Sequence, residues 1–160
     1  MLNLELEARQ SRDAQLMTKR ENEVSVLLVE DTEDNRMMMR RLLELSGFRV
    51  SEAVNGVEAV RAAEREMPNI ILMDLSLPII DGLAATRRIR QLPDMAEVPI
   101  IAVSAHDTAD FHAEALAAGC DAYITKPIDY TELEDLISDL TAKHENEGPA
   151  QNPPGEHPYW

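Results

Sequence analysis

VSVLLVEDTEDNRMMMRRLLELSG (24–47) decides the fold. Its first six residues, VSVLLV (24–29), form an apolar run of strand length, too short for a helix. A run without strict alternation suits a parallel strand buried on both faces. Glu30 and Asp31 close the run, and a helical pattern follows from Glu33 to Ser46. Met38, Leu42 and Leu45 fall at i, i+4 and i+7 on its expected inner face, and Gly47 stops it.

The same unit repeats outward from this stretch. NIILM (69–73), PIIAV (99–103) and AYIT (122–125) are further buried-strand runs, while the mixed FRVSEAV (48–54) fits a sheet edge. Between them lie a helix capped by Asn55 and running to about Glu66, with Val57, Val60 and Ala63 inward, and helices over Leu83–Gln91, Thr108–Ala118 and Tyr130–Ala142. Five strands alternating with five helices predict an α/β fold: a flavodoxin-like, doubly wound, five-stranded parallel sheet of order 2-1-3-4-5.

A chain of 160 residues allows one domain with tails. That domain is expected over 24–143. Residues 1–23 are rich in helix formers but lack a sustained apolar stripe, so they read as a frayed or partner-dependent helix, with a homodimer contact left open. Residues 144–160 form a Pro/Gly-rich tail expected to be disordered. Thirty acidic residues against fifteen basic ones give a formal charge of −15, and aromatics are only 4 %. Such a field repels nucleic-acid phosphates and anionic membranes, so neither is an expected partner. The single cysteine, Cys120, suits a reducing cytoplasm.

In doubly wound sheets, ligands bind at the carboxyl ends of the strands. There the reading gathers Glu30, Asp31 and Asp74, with Ser104 and Lys126. A like-charge pair at about 4 Å costs about 1 kcal/mol in water and about 4 kcal/mol at an effective dielectric of 20. Three carboxylates together therefore call for a cation. With oxygen donors alone the cation is hard, and Mg²⁺ fits because it keeps waters and leaves room for phosphate oxygens. A carboxylate can also serve as a phosphoryl nucleophile, giving an aspartyl phosphate.

LLVEDTEDNR, ILMDLSLPIIDG, IIAVSA and DAYITKPI together resemble the motif set of the receiver domain of two-component response regulators, over about 24–143. The resemblance implies a single-domain response regulator, phosphorylated by a histidine kinase or histidine phosphotransfer protein and signalling by protein contact or onward phosphotransfer. It catalyses only its own phosphorylation and dephosphorylation. The resemblance implies Asp74 as phosphoacceptor and Asp31 as a direct Mg²⁺ ligand, with Glu30 acting through water and Ser76 offering its backbone carbonyl. By the same resemblance, Ser104 is the switch hydroxyl, Lys126 the phosphate-pairing lysine and Tyr123 the switch aromatic, while Lys126–Pro127 matches a cis peptide. Leu77 and Ile80 stand where the family often has Met, and Ser104 keeps the hydroxyl of the usual Thr. GCDAYITKPI resembles receivers of phosphorelays and hybrid kinases more than those of DNA-binding regulators.

Two other readings compete. A degenerate receiver acting as a phosphorylation-independent interaction module would not need the complete acid–acid–hydroxyl–lysine set. A phosphatase of the haloacid dehalogenase type would need an acid where Ser76 stands. Arg36, Arg40 and Arg41 form a basic patch on the first helix of the domain; a solvated helix face and a dock for the phosphodonor, through Arg36 and Arg40, are its two readings. Met37, Met38 and Met39 read as helix filler, Cys120 as a small buried residue, His106 and His112 as too isolated for a metal site, and Asp81–Gly82 as a turn; His106, two residues after Ser104, has two readings, a contact with the phosphorylation pocket and a solvent-exposed side chain.

Overall fold

The computed structural model describes residues 2–146. Five short strands form one parallel sheet: β1 (Ser25–Val29), β2 (Arg49–Ala53), β3 (Ile70–Asp74), β4 (Ile100–Ser104) and β5 (Ala122–Thr125). Their spatial order is β2-β1-β3-β4-β5, as the apolar runs predict, with the mixed strand β2 on an edge. Six helices accompany the sheet: α1 (Leu2–Glu21), α2 (Glu33–Leu45), α3 (Gly56–Glu66), α4 (Gly82–Arg90), α5 (Ala109–Ala118) and α6 (Tyr130–Asn146). None of the described helices is long and apolar enough to cross a membrane.

Successive strand side chains point to opposite faces, which splits the core into two layers. Leu27 and Val29 of β1, Ile71 and Met73 of β3, and Ala102 of β4 pack with Ala59, Ala63, Ala85 and Ile89 of α3 and α4. On the other face Val26, Leu28, Ile70, Leu72, Ile101 and Ile124 pack with Met39 and Leu43 of α2 and Leu133 and Ile137 of α6. Each fully buried Leu, Ile, Val or Met among them contributes about 1.5–3 kcal/mol of burial free energy. Aliphatic residues fill both layers, in keeping with the low aromatic content.

Four expectations need correction. Among the described residues the helix count is six rather than five, because the N-terminal segment is itself helical. Its described side chains from Asn3 to Lys19 are all exposed, so it adds nothing to the core. In α2 the inward residues are Met39 and Leu43, whereas Met38 and Leu45 are 52 % and 68 % exposed. Three consecutive methionines offer three equally apolar phases, and packing on the sheet selects the one that the i, i+4 reading missed. In α3 the buried residues are Gly56, Ala59, Ala62 and Ala63, with Val57 and Val60 only half-buried. This helix lies so close to its neighbours that a Cβ on Gly56 would strike the Ile80 carbonyl, so small residues take the contact. Finally, α6 continues through Lys143 and His144 to Asn146, so residues 144–146 belong to the helix rather than to a disordered tail. The rest of that expected tail, 147–160, lies outside the described residues.

Asn55 caps α3 as expected, its side chain accepting from the Glu58 N–H at 2.8 Å. Asp81 does more than turn the chain: it is the N-cap of α4 and accepts from the Ala84 N–H at 2.8 Å.

Candidate functional site

A parallel sheet brings all its carboxyl ends to one rim. The register pairs Val29 with Met73, Asp74 with Val103 and Ser104 with Thr125. Glu30, the next residue after β1, thus emerges beside Asp74, and Lys126, the next after β5, emerges beside Ser104. Backbone bonds extend the ladder at both places: Glu30 N–H donates to the Ala53 carbonyl at 3.1 Å and Lys126 N–H to the Ser104 carbonyl at 2.8 Å. The Lys126–Pro127 peptide is cis.

The side chains converge there. Glu30 and Asp74 are 2 % and 3 % exposed, and Ser104 is 1 % exposed. Oxygens of Glu30, Asp31 and Asp74 all lie within 4.8 Å of one another, with Asp31 on the solvent side. The Lys126 ammonium bridges the two buried acids, 2.9 Å from Asp74 Oδ2 and 3.3 Å from Glu30 Oε2. The second oxygen of each acid meets a backbone donor: Asp74 Oδ1 accepts from Ser76 N–H at 2.8 Å and Glu30 Oε1 from Thr32 N–H at 3.1 Å. No described buried polar side-chain atom lacks a partner.

Burial pushes the Glu30 carboxyl above its usual range; the Thr32 N–H opposes this, the Asp74 charge adds to it, and Lys126 opposes it. Lys126 moves up as well. Burial works against its charged form, but the hydrogen bond and charge of Asp74, and then of Glu30, outweigh it. The ammonium therefore stays protonated across the physiological range. One positive charge faces three carboxylates, leaving two negative charges in excess. Oxygen donors alone surround that excess, which is the chemistry of a hard divalent cation.

Ser104 and Tyr123 are joined through the backbone of one residue. His106 N–H donates to Ser104 Oγ at 3.1 Å, and Tyr123 OH donates to the His106 carbonyl at 2.6 Å. The Tyr123 hydroxyl is thus engaged with the loop after β4. Arg36 and Arg40 lie on α2, away from the ammonium. Arg36 donates to the Glu30 carbonyl at 3.1 Å and faces Glu52 at 3.6 Å, while Arg40 pairs with Glu44 at 2.8 Å and Glu52 at 2.7 Å. Beside Glu30 and Lys126, α2 and the turn after β5 enclose an apolar recess of about 300 Å³, lined by Met38, Met39, Pro127, Ile128 and Tyr130.

Two participants escaped the sequence reading. Thr32 orients Glu30 through its N–H, a role that does not depend on side-chain type. His106, read as either touching the pocket or facing solvent, reaches Ser104 through its backbone N–H, and its carbonyl takes the Tyr123 hydroxyl. Gly82 is the second of the two. A Cβ there would collide with the Asp74 carbonyl oxygen and sit 2.8 Å from Leu75 Cα. The Asp-Gly pair signals a turn, but the close approach to Asp74 is non-local and leaves no mark in the sequence.

Comparison with known proteins agrees with this geometry. The profile of the response regulator receiver domain matches residues 26–138. The polar-differentiation response regulator DivK of Brucella anthropi is 38 % identical over 104 residues, spanning 65 % of this chain and 85 % of DivK. The transcriptional regulatory protein PrrA of Mycobacterium bovis is 37 % identical over 108 residues, 68 % of this chain but 46 % of PrrA. Among solved structures, the receiver domain of a sensor histidine kinase from Pseudomonas aeruginosa, with a magnesium ion coordinated in its active site cleft, superposes with a TM-score of 0.71 at 37 % identity, covering 75 % of this chain and 98 % of that one. A CheY-like receiver domain protein from Methanospirillum hungatei gives a TM-score of 0.74 at 27 % identity, covering 79 % of this chain and all of the other. Sheet order, acidic rim and lysine bridge together with these matches establish that the chain belongs to the response regulator receiver domain family.

Proposed function

We propose that the protein accepts a phosphoryl group on Asp74 from the phosphohistidine of a histidine kinase or histidine phosphotransfer protein, in an Mg²⁺-dependent step, and signals by protein contact or by passing the group onward. One observation carries the reading: Lys126 Nζ stands 2.9 Å from Asp74 Oδ2 inside a cluster of three carboxylates. A buried acid with one backbone donor on one oxygen and an ammonium on the other is a nucleophile held in place. One divalent cation would balance the two excess negative charges; Asp31, Asp74 and the Ser76 carbonyl would hold it, with Glu30 acting through water. The magnesium held by the Pseudomonas receiver domain supports this assignment. When bound, Mg²⁺ supplies charge neutralisation for the transferring group.

An Asp74 carboxylate oxygen attacks the phosphorus of the phosphohistidine. The P–O bond forms as the P–N bond breaks; the electron pair stays on the imidazole nitrogen, which takes a proton from water. Lys126 holds its proton and pairs with the phosphoryl oxygens. Ser104 Oγ accepts from His106 N–H, which leaves its own O–H free to donate to the phosphoryl group. Movement of Ser104 toward the phosphoryl group pulls on His106 and hence on Tyr123, and α5, β5 and α6 read out the change. The apolar recess beside Lys126 receives the phosphodonor, and Arg36 and Arg40, on the same helix but paired with Glu52 of β2, offer it a separate contact.

The test is phosphotransfer from a phosphorylated kinase, or from a small phosphodonor, with labelled phosphate. Labelling is expected with Mg²⁺ and not with chelator, weakened in Asp31→Asn, and retained in part in Ser104→Ala, whose amide-exchange response over 104–142 is lost. Undiminished labelling in chelator would overturn the proposal.

A further inference from the structure

An aromatic assembly sits at the start of α5, outside the phosphoacceptor cluster. His112 stacks on the Tyr123 ring, with centroids 3.9 Å apart and planes 21° from parallel. Its Nε2 lies 2.9 Å from Asp107 Oδ1. In the same loop His106 stacks on Phe111, 4.4 Å between centroids and 9° between planes. Tyr123 is therefore held at two points. Its hydroxyl is fixed to the His106 carbonyl, and its ring face is fixed to an imidazole that Asp107 braces. A tyrosine with a single hydrogen bond can swing about its side-chain torsions; a second contact on the ring face removes that freedom. Neither contact has to break for Ser104 to donate its hydroxyl proton, so the double hold favours the arrangement that a phosphoryl group needs.

We propose that His112, braced by Asp107, is a positioning residue of the switch: it clamps Tyr123 in the rotamer that keeps the His106 backbone on Ser104 Oγ, and so pre-organises Ser104 for the phosphoryl group. The inference rests on the phosphoacceptor reading of Asp74. A clamp that raises the competent fraction tightens the binding of any phosphoryl mimic in proportion.

The experiment measures beryllofluoride affinity of the full chain with Mg²⁺ by calorimetry. His112→Ala is expected to weaken binding about two- to tenfold, the worth of one aromatic stack. His112→Phe, which keeps a ring on Tyr123, restores most of the loss; His112→Asn, which keeps a polar side chain near Asp107 without a ring of that kind, does not. On a Tyr123→Ala background the His112→Ala change has no further effect. A general loss of structure would instead weaken binding equally on both backgrounds, and that result overturns the clamp. So does wild-type affinity in both His112→Ala and His112→Asn, or tighter binding by either. If the wild-type protein itself fails to bind beryllofluoride, the phosphoacceptor reading falls and the clamp with it.

Discussion

Lys126→Met removes the one cation between two buried acids and tests how the rim is held together. The ammonium sits 2.9 Å from Asp74 and 3.3 Å from Glu30. At an effective dielectric of 20 these pairs are worth about 6 and 5 kcal/mol of gross attraction. Desolvation of the lysine offsets several kcal/mol of that, and removing one partner of a buried pair costs about 3–5 kcal/mol net. The Lys126 side chain is 28 % exposed and the acids nearly fully buried, so solvent relieves little of the cost. Lys126→Met should therefore lose about 3–5 kcal/mol in urea unfolding with chelator present. Mg²⁺ should return more stability to the variant than to the wild type, because the cation then answers two bare carboxylates. The loss should shrink as pH falls, since burial already pushes Glu30 up and its protonation removes one of the two bare charges. At alkaline pH the sign is set by Lys126. Its folded value is raised, so its contribution is complete below the ordinary lysine range and disappears as pH climbs through the raised value. Wild type should lose more stability there than Lys126→Met, which keeps only the loss common to both, such as that from the Tyr130 hydroxyl pushed up by burial. Equal stability of the two proteins in chelator at neutral pH would refute the reasoning.

Three further outcomes follow from particular residues. Mg²⁺ affinity, read by calorimetry, should begin to fall with decreasing pH above the ordinary glutamate range, because the Glu30 carboxyl is held neutral there by burial; a decline confined to that ordinary range would contradict the burial account. Gly82→Ala should destabilise by about 1–3 kcal/mol and slow phosphorylation, since the added methyl must displace the Asp74 carbonyl; unchanged unfolding and labelling kinetics would show that the loop yields freely. Deleting residues 1–22 should leave the midpoint of thermal unfolding nearly unchanged at low protein concentration, because the described side chains from Asn3 to Lys19 bury nothing in this chain; a marked drop would show a contact that supports the domain.

The sheet was legible because strand burial is written into runs such as NIILM (69–73), and β2 declared its edge position by its mixed face. The acidic rim was legible for a related reason: once strand order is known, residues 30, 74, 104 and 126 must lie together. Helix phase was less legible. Met37, Met38 and Met39 are interchangeable to any periodicity argument, and only its place in the buried cluster against the sheet distinguishes Met39. α1 escaped the helix count because a helix without a packed face carries propensity but no stripe. Gly82 and the His112–Tyr123 stack were illegible for the opposite reason: both are close approaches between neighbouring elements, set by how α4 and α5 seat on the sheet.

The central claim is that Asp74 is the residue phosphorylated. An acyl phosphate is reduced by borohydride to an alcohol, which marks its carboxylate by peptide mass spectrometry. After treatment with a small phosphodonor and Mg²⁺, the reduced position should be Asp74 alone, and Asp74→Asn should give no reduced peptide. Reduction at Asp31 or Glu30 in the wild-type protein, or an undiminished yield from Asp74→Asn, would contradict the account.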